Sequence, residues 1–190
     1  MIIGITGGTG CGKTTFLDLI REKGGLVLDC DAIYHQLLLT DTEMLNAIEA
    51  RFPGTVEEGC LQRKKLGAIV FNDKDALNDL NHITHGAVKA EVQRQLTPLP
   101  QLAAIDAIGL FESGLNELCK LTVAIDAPRE DRIARLMARD NISAEYAAAR
   151  IDAQPSGEEF SARCDYTLVN DGTKADFQEK CLAFFTQVGL

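Results

Sequence analysis

The sequence predicts an α/β fold, a three-layer α/β/α sandwich built around a five-stranded parallel sheet. Short apolar runs alternate with longer stretches of helical periodicity, which is typical of parallel strands joined by helices that cover both faces of a sheet. The length of 190 residues, with 46% hydrophobic and 25% charged residues, suits one compact domain spanning the chain. Aromatic residues make up only 6% and tryptophan is absent, so the interior should be mostly aliphatic, which disfavours a pure β-sandwich.

The individual elements follow from the punctuation of the chain. Five apolar runs are short, are bounded by turn or polar residues, and are predicted as buried strands at 2–6, 26–29, 102–108, 121–126 and 166–170. Longer stretches with helical periodicity are predicted as helices at 13–23, 31–39, 75–96, 129–140, 143–153 and 174–188. The order of these elements gives the alternation on which the fold prediction depends.

Two intervals interrupt the alternation. The interval 33–96 contains helical stretches and the loop "FPGTVEEGC" but no convincing strand, and it is too long for one crossover helix. It predicts a helical insertion at the edge of the sheet. The irregular stretch 153–164 separates a charged helix from the last strand, and it predicts a mobile lid within 140–164.

Charge and cysteine content restrict the partners and the compartment. A formal net charge of −9 disfavours nucleic acid as a partner. The six cysteines are scattered without a C-x-x-C pair, which favours reduced thiols, although their even number leaves disulfides as an alternative. No basic signal-peptide start and no apolar run of ~18 residues is present, so a cytoplasmic protein without a membrane partner is predicted.

The strongest motif lies between the first strand and the first helix. Gly7, Gly12, Lys13 and Thr14 fit the phosphate-loop pattern G-x-x-x-x-G-K-[ST]. Glycines let the backbone curl so that its N–H groups point at phosphate oxygens, and the helix dipole adds to the attraction. Lys13 should reach the β- and γ-phosphates, and the Thr14 hydroxyl should bind Mg²⁺. A plain glycine-rich turn is the alternative. The predicted ATP-binding residues are Gly8, Thr9, Gly10, Cys11, Gly12, Lys13, Thr14 and Thr15.

The remaining sequence favours a small-molecule kinase over other nucleotide-binding proteins. A GTPase would carry N-K-x-D after a later strand, but "VNDGT" has no lysine at the required place. A motor or transporter ATPase would usually be larger. A kinase of another small alcohol, such as a nucleoside or a sugar acid, and a nucleotide-dependent regulatory protein remain as alternatives.

Two acidic residues follow the second strand in "LDCD". Asp29 and Asp31 can each cap the next helix. At the carboxyl ends of parallel strands, however, carboxylates face the ligand crevice, and this strand is expected beside the one that carries the phosphate loop. Asp31 is predicted to be the general base that accepts the proton of the attacking hydroxyl.

Three arginines share one face of the predicted helix 129–140. Arg132, Arg135 and Arg139 recur at i, i+3 and i+7, and the adjacent face carries the apolar residues that should pack on the sheet, Ile133, Leu136 and Met137. A solvated charge stripe is the ordinary explanation of such a pattern. In an acidic protein that binds several phosphates, the stripe predicts a phosphate clamp, with Arg139 nearest the chemistry and Arg135 second.

Taken together, these stretches resemble the dephospho-CoA kinase family from end to end. The resemblance is carried by "ITGGTGCGKTT", "VLDCDAIYHQLL", "GCLQRKKLGAIVFND", "LNHITHGAVKAEV", "AIDAIGLFES", "DAPREDRIARLMARDNIS" continuing to "RIDAQ", and "DYTLVNDGT". The first motif is shared by many nucleotide enzymes, whereas the ordered set is specific. The resemblance implies a P-loop kinase that uses Mg²⁺ and ATP to phosphorylate the ribose 3'-hydroxyl of 3'-dephospho-CoA, as a monomer or small homo-oligomer.

The resemblance also assigns roles by position. Asp31 matches the family's presumed general base, and Arg139 matches the lid arginine on the ATP phosphates. Asn170 and Gly172 match a loop near the adenine. These roles are what the family implies, and the first of them agrees with the prediction made from "LDCD".

The resemblance implies that the insertion 33–96 binds the acceptor, and it assigns Arg63 and His85 to that side. On this side the sequence departs from the family pattern. Gly86 stands where the family has proline, and "AIGLFE" replaces a more usual Pro-Leu-Leu-Phe-Glu. A structural, hydrogen-bonded role is the alternative for His85. Asp106, at the end of the third strand, is expected either to position Mg²⁺ through water or to cap a loop or helix.

Overall fold

The computed structural model describes all 190 residues, which form seven strands, nine α-helices and one 3₁₀ turn. The strands are β1 (Ile2–Thr6), β2 (Leu26–Asp29), β3 (Val56–Glu57), β4 (Cys60–Leu61), β5 (Ala103–Asp106), β6 (Leu121–Asp126) and β7 (Tyr166–Val169). The helices are α1 (Lys13–Glu22), α2 (Cys30–Thr40), α3 (Thr42–Arg51), α4 (Arg63–Val70), α5 (Lys74–Gln95), α6 (Arg129–Asp140), α7 (Ala144–Asp152), α8 (Gly157–Ser161) and α9 (Lys174–Gln187). No helix combines the length and the apolar character that crossing a membrane requires.

Five of the strands form one mostly parallel sheet in the order β2-β5-β1-β6-β7, which confirms the predicted α/β class. β1 pairs in parallel with β5 and with β6, and β6 pairs in parallel with β7. The expectation that β2 lies beside the loop-bearing strand is wrong, because β5 lies between them. Burial explains the order: Ile3, Ile5 and Ile105 are fully buried in the central strands, whereas β2 ends in the exposed Asp29 at the edge.

The chain divides into two compact units. The first comprises Met1–Leu28, Pro100–Phe111 and Leu115–Leu190. Its core contains the central strands and an aromatic cluster between α1 and α9, in which the rings of Phe16 and Phe185 lie 4.9 Å apart, edge to face. The rest of this core consists mostly of Ile, Leu, Val and Ala side chains, as the scarcity of aromatic residues predicts.

The second unit comprises Asp29–Leu99 and Glu112–Gly114 and contains α2 to α5. It also contains an antiparallel hairpin, β3–β4, so the expectation that this interval lacks strands is wrong. The hairpin turn has positive φ at Glu58 (50°) and Gly59 (76°), as a tight two-residue hairpin turn requires. Its two-residue strands are too short to produce an alternating pattern.

Within the first unit, α6 packs on α7 rather than on the sheet. Leu136, Ala147 and Ile151 form a small buried cluster, and Ile133 packs against it. The expected burial of Met137 is wrong, since its side chain is 40% exposed. Part of the stretch predicted to be irregular is helical: α8 begins with a capping box in which Ser156 and Glu159 exchange hydrogen bonds.

Candidate active site

The phosphate loop lies between the end of β1 and the start of α1. Gly7, Gly10 and Gly12 have φ of 138°, 79° and 104°, a region that favours glycine. A Cβ on Gly7 would lie 2.2 Å from the carbonyl oxygen of Ile125, so the loop also has no space for a side chain there. The first-turn N–H groups of α1 have no carbonyl partner within the helix. The result is the anion-binding curl that the motif predicts.

Lys13 is already turned toward the loop. Its Nζ donates a hydrogen bond of 2.7 Å to the carbonyl oxygen of Gly7. Thr14, the next residue, is exposed at the helix start. The amine of Lys13 therefore lies beside the first residue of the loop, and the Thr14 hydroxyl is open to a ligand.

The loop is supported from the end of β7 and from α6. The buried Asn170 donates from Nδ2 to the carbonyl oxygen of Cys11 at 2.9 Å. Arg135 donates to the carbonyl oxygens of Gly10 (3.3 Å) and Cys11 (3.4 Å), and also to Asn170. Both side chains therefore fix the loop backbone, which carries the N–H groups expected to bind phosphate. The Cys11 side chain is buried beneath the loop, and this burial raises the pKa of its thiol.

The residues at the loop suit Mg²⁺ bound together with a nucleotide. The exposed Thr14 hydroxyl is a hard oxygen donor, and Asp106 ends the strand beside β1, in register with Ile5. No group of three or more His, Cys, Asp or Glu side chains forms a metal cage. Mg²⁺ in kinases is usually held by one or two protein oxygens, substrate phosphates and water, so this sparse donor set fits it.

In the second unit, the two aspartates of "LDCD" differ in their surroundings. Asp29 is the N-cap of α2, and its carboxylate accepts a hydrogen bond of 3.0 Å from the N–H of Ala32. Asp31 is the second residue of α2, within its first turn, and its side chain is exposed. The capping role is therefore taken by Asp29, which leaves the Asp31 carboxylate open to a substrate.

Two further candidates lie in the same unit. Arg63 is exposed at the first position of α4. Burial raises the pKa of the half-buried Tyr34 of α2, and the positive charge of Arg63 is a smaller influence that lowers it. His85 lies on α5 in a cavity of about 490 Å³ whose lining includes His82, Lys89 and Ser113. Three of these residues recur at i, i+3 and i+7 on one helix, so they share a face.

Comparison with known proteins gives the family. The model of the dephospho-CoA kinase family matches residues 1–176. The chain belongs to this family. A Lactobacillus johnsonii dephospho-CoA kinase is 34% identical over 193 residues, which cover 98% of each chain. The family resemblance found in the sequence is confirmed, and the chain is an enzyme, a P-loop kinase.

Solved structures agree with the dephospho-CoA kinase assignment. A crystal structure from Thermus thermophilus has a TM-score of 0.80 and 34% identity, with 98% of this chain and 97% of that one covered. A Campylobacter jejuni dephospho-CoA kinase has a TM-score of 0.69 and 30% identity, with coverage of 98% and 96%. The three-layer P-loop kinase fold is thereby confirmed.

In this member of the dephospho-CoA kinase family, the arginines of the stripe do not approach the loop in the order that the sequence predicts. Arg135 contacts the loop, whereas the exposed Arg139 binds Asp140 at 2.6 Å. Arg139 and Arg150 together hold the pKa of Asp140 well below its usual range, the first through the larger contribution. The approach of Arg139 to the ATP phosphates stays a prediction. Asn170 supports the loop, and Gly172 lies in the exposed turn before α9.

Sequence reasoning missed two residues that contact the loop. Arg132, predicted only as part of the stripe, is buried and donates from Nε to the carbonyl oxygen of Thr9 at 2.9 Å. Gln154, beyond α7, accepts a hydrogen bond of 2.7 Å from the N–H of Thr9. The spacing of Arg132 with Arg135 was the available signal for the first. No local pattern marks the second, which lies 145 positions away from its partner.

Proposed function

We propose that this protein transfers the γ-phosphoryl group of ATP to the ribose 3'-hydroxyl of 3'-dephospho-CoA, giving coenzyme A and ADP. The observation that carries the proposal is the phosphate loop with Lys13 already turned onto it, in a chain that the dephospho-CoA kinase model matches over residues 1–176. Relatives at 34% and 38% identity are dephospho-CoA kinases.

The phosphate side of the reaction uses residues of the first unit. The loop from Gly8 to Thr15 holds the phosphates through those of its N–H groups that make no hydrogen bond within the protein, and the helix dipole of α1 adds to the attraction. The N–H of Thr9 donates to Gln154 instead. Lys13 neutralises charge that develops on the transferring group, and Arg139 does so if it leaves Asp140. Thr14 and, through water, Asp106 would hold Mg²⁺, which supplies positive charge to the phosphates. Asn170 and Gly172 are proposed to border the adenine.

The acceptor side uses residues of the second unit. Asp31 accepts the proton of the ribose hydroxyl and orients it for in-line attack. Arg63 and His85 bind the phosphorylated acceptor, and Lys89 adds a cation to the cavity that His85 lines. The helical segment 33–96 receives the pantetheine end. Closure of the segment 140–164 keeps water from the γ-phosphoryl group. We place this reaction in the cytoplasm, in a monomer or small homo-oligomer.

A panel of acceptors tests the proposal. Purified protein with Mg²⁺ and ATP is given 3'-dephospho-CoA, a nucleoside or a sugar acid, and both ADP release and phosphorylated product are measured. We expect acceptor-dependent turnover with 3'-dephospho-CoA and formation of coenzyme A. Turnover with another alcohol alone would support a different small-molecule kinase. ATP binding without any acceptor-stimulated turnover would support a regulatory nucleotide-binding protein.

A further inference from the structure

The backbone of Thr9 is held at its N–H and at its carbonyl by residues from distant parts of the first unit. The N–H of Thr9 donates to Oε1 of Gln154 at 2.7 Å, and the carbonyl oxygen of Thr9 accepts from Nε of Arg132 at 2.9 Å. Gln154 follows α7, and Arg132 lies on α6. Two elements outside the phosphate loop therefore fix the backbone of one loop residue.

Arg132 and the loop fit together closely. A Cβ on Gly8 would lie 2.1 Å from Nη2 of Arg132, and a Cβ on Gly10 would lie 2.9 Å from the Arg132 carbonyl oxygen. Glycine at these two positions is thus required by the close approach of the arginine. The loop glycines and the arginine form one structural unit.

The guanidinium of Arg132 also has unused capacity to bind an anion. Its side chain is among the few charged groups that are buried, at 5% exposure, and Nη2 is buried without a hydrogen-bond partner. A guanidinium stays protonated in proteins, and a buried donor without a partner is costly. A phosphate oxygen is the type of acceptor that would complement it.

The terminal phosphate of a bound nucleotide belongs at this end of the loop. Backbone N–H groups near the start of the helix hold the inner phosphates, and the motif lysine reaches the outer ones. Nζ of Lys13 lies 2.7 Å from the carbonyl oxygen of Gly7, two residues before Thr9. A phosphate that contacts Lys13 therefore lies close to the part of the loop that Arg132 and Gln154 hold.

We propose that Arg132 and Gln154 are positioning residues for the γ-phosphoryl group, and that they favour ATP over ADP by fixing the Thr9 end of the loop. This inference rests on the proposed kinase function. Because Gln154 lies within 140–164, its bond to Thr9 also ties that segment to the loop.

The variant Gln154→Glu tests the role of the glutamine. A carboxylate accepts the Thr9 N–H as the amide does, so the loop keeps its shape while a negative charge is placed beside the γ-phosphate. We expect the Kd of ATP to rise by ~10-fold or more and the Kd of ADP by less than ~3-fold, because like charges in a partly buried site repel. Equal changes in both constants, or no change in either, would overturn the proposal.

Gln187→Glu is the matched control, because it adds the same charge at the exposed end of α9. We expect both nucleotide affinities to stay at the wild-type value in this variant. A rise in the ATP Kd here equal to that of Gln154→Glu would show that net charge alone is responsible, and would overturn the proposal.

Arg132→Gln and Arg132→Lys test the arginine. We expect Arg132→Gln to raise the Kd of ATP by ~10-fold or more with a smaller effect on ADP, and Arg132→Lys to restore part of the preference for ATP because it keeps the charge. A lower melting temperature with an unchanged ATP-to-ADP ratio would assign the arginine a structural role only. Arg21→Gln, which removes an exposed arginine from α1, is the control, with no change expected.

These affinities are measured without an acceptor, so they are independent of the proposed phosphoryl transfer. Failure to phosphorylate 3'-dephospho-CoA would remove the proposed substrate while leaving a shifted ATP-to-ADP ratio as support for the inference. An unshifted ratio in an enzyme that does make coenzyme A would overturn the inference alone. If Arg132→Gln does not fold, Gln154→Glu decides by itself.

Discussion

Around the phosphate loop, the polar side chains are buried and bonded, whereas the candidate acceptor residues of the helical unit are exposed or half-buried. Asn170 and Arg132 are 6% and 5% exposed, and both bind loop carbonyls. Asp31 and Arg63 are exposed, and His85 is half-buried in its cavity. The phosphate-binding region is therefore shaped in advance by the protein itself, while the acceptor region presents side chains that are open to a ligand.

The difference has a physical reason. Every nucleotide presents similar phosphates to a curled backbone, so a rigid loop is useful whatever the acceptor is. An acceptor with a long flexible arm must be bound along a larger surface, and exposed side chains can adapt to it. The comparison predicts that substitutions at the loop affect turnover most, and that substitutions in the helical unit affect acceptor binding first.

The largest effect is expected for Lys13→Ala. Removal of the amine deprives the γ-phosphoryl group of the cation that the motif assigns to it. We expect kcat to fall by ~10³-fold, within the range for removal of one transition-state contact. Steady-state rates and nucleotide binding would be measured together. Unaltered turnover would remove the lysine from the mechanism and would contradict the view that the loop acts directly in the chemistry.

The next effect is that of Asp31→Asn, which probes the helical unit where chemistry is predicted to take place. We expect turnover to fall by ~10²-fold or more with nearly unchanged ATP affinity, as for loss of a general base. Asp29→Asn is the matched control, because asparagine is an equally good helix cap and should keep the hydrogen bond to Ala32. Full activity of Asp31→Asn would rule out the base assignment.

Substitutions in the α5 cavity should have a smaller effect of a different kind. We expect Lys89→Ala and His85→Ala each to raise the KM for 3'-dephospho-CoA by ~10-fold, since a charged or polar contact of this kind is worth ~1.5 kcal/mol. The KM for ATP should not change. If instead both KM values rose equally, the cavity would have no specific role toward the acceptor.

The smallest effect is expected for Gly86→Ala, at the position where the family pattern has proline. A Cβ on Gly86 would meet no atom within 4 Å, and the residue lies within α5. Alanine should therefore raise the free energy of unfolding by ~0.5–1 kcal/mol, because it favours the helix. Denaturant unfolding would measure this gain, and a loss of stability would show that the open space beside His85 is needed.

The sequence was sufficient for features whose cause is local. The phosphate loop was predicted residue by residue because its glycines, lysine and threonine are contiguous, and β1, β6 and α6 were predicted with their observed bounds. The distinction between Asp29 and Asp31 was also within reach, since the first residue before a helix is the usual cap. Asp41 gives the same capping signal for α3, a helix that the sequence pattern does not predict separately.

Features that depend on distant contacts could not be predicted. The position of β2 at the sheet edge depends on which strands are buried on both faces, and that is decided by the covering helices. The bonds of Arg132 and Gln154 to Thr9 join residues 123 and 145 positions apart. Arg139, chosen because it lies nearest the segment 140–164, binds its neighbour Asp140, which competes for the guanidinium at no cost in chain entropy.

The thiol of Cys11 has a consequence for the chemistry of the living cell. Thiolates are the species that oxidants and alkylating agents attack. Because Cys11 is 1% exposed and its pKa is raised, it stays protonated and out of reach at neutral pH. Peroxide or iodoacetamide should therefore modify the exposed Cys60 first, and catalytic capacity should persist through an oxidative episode that marks the protein's surface.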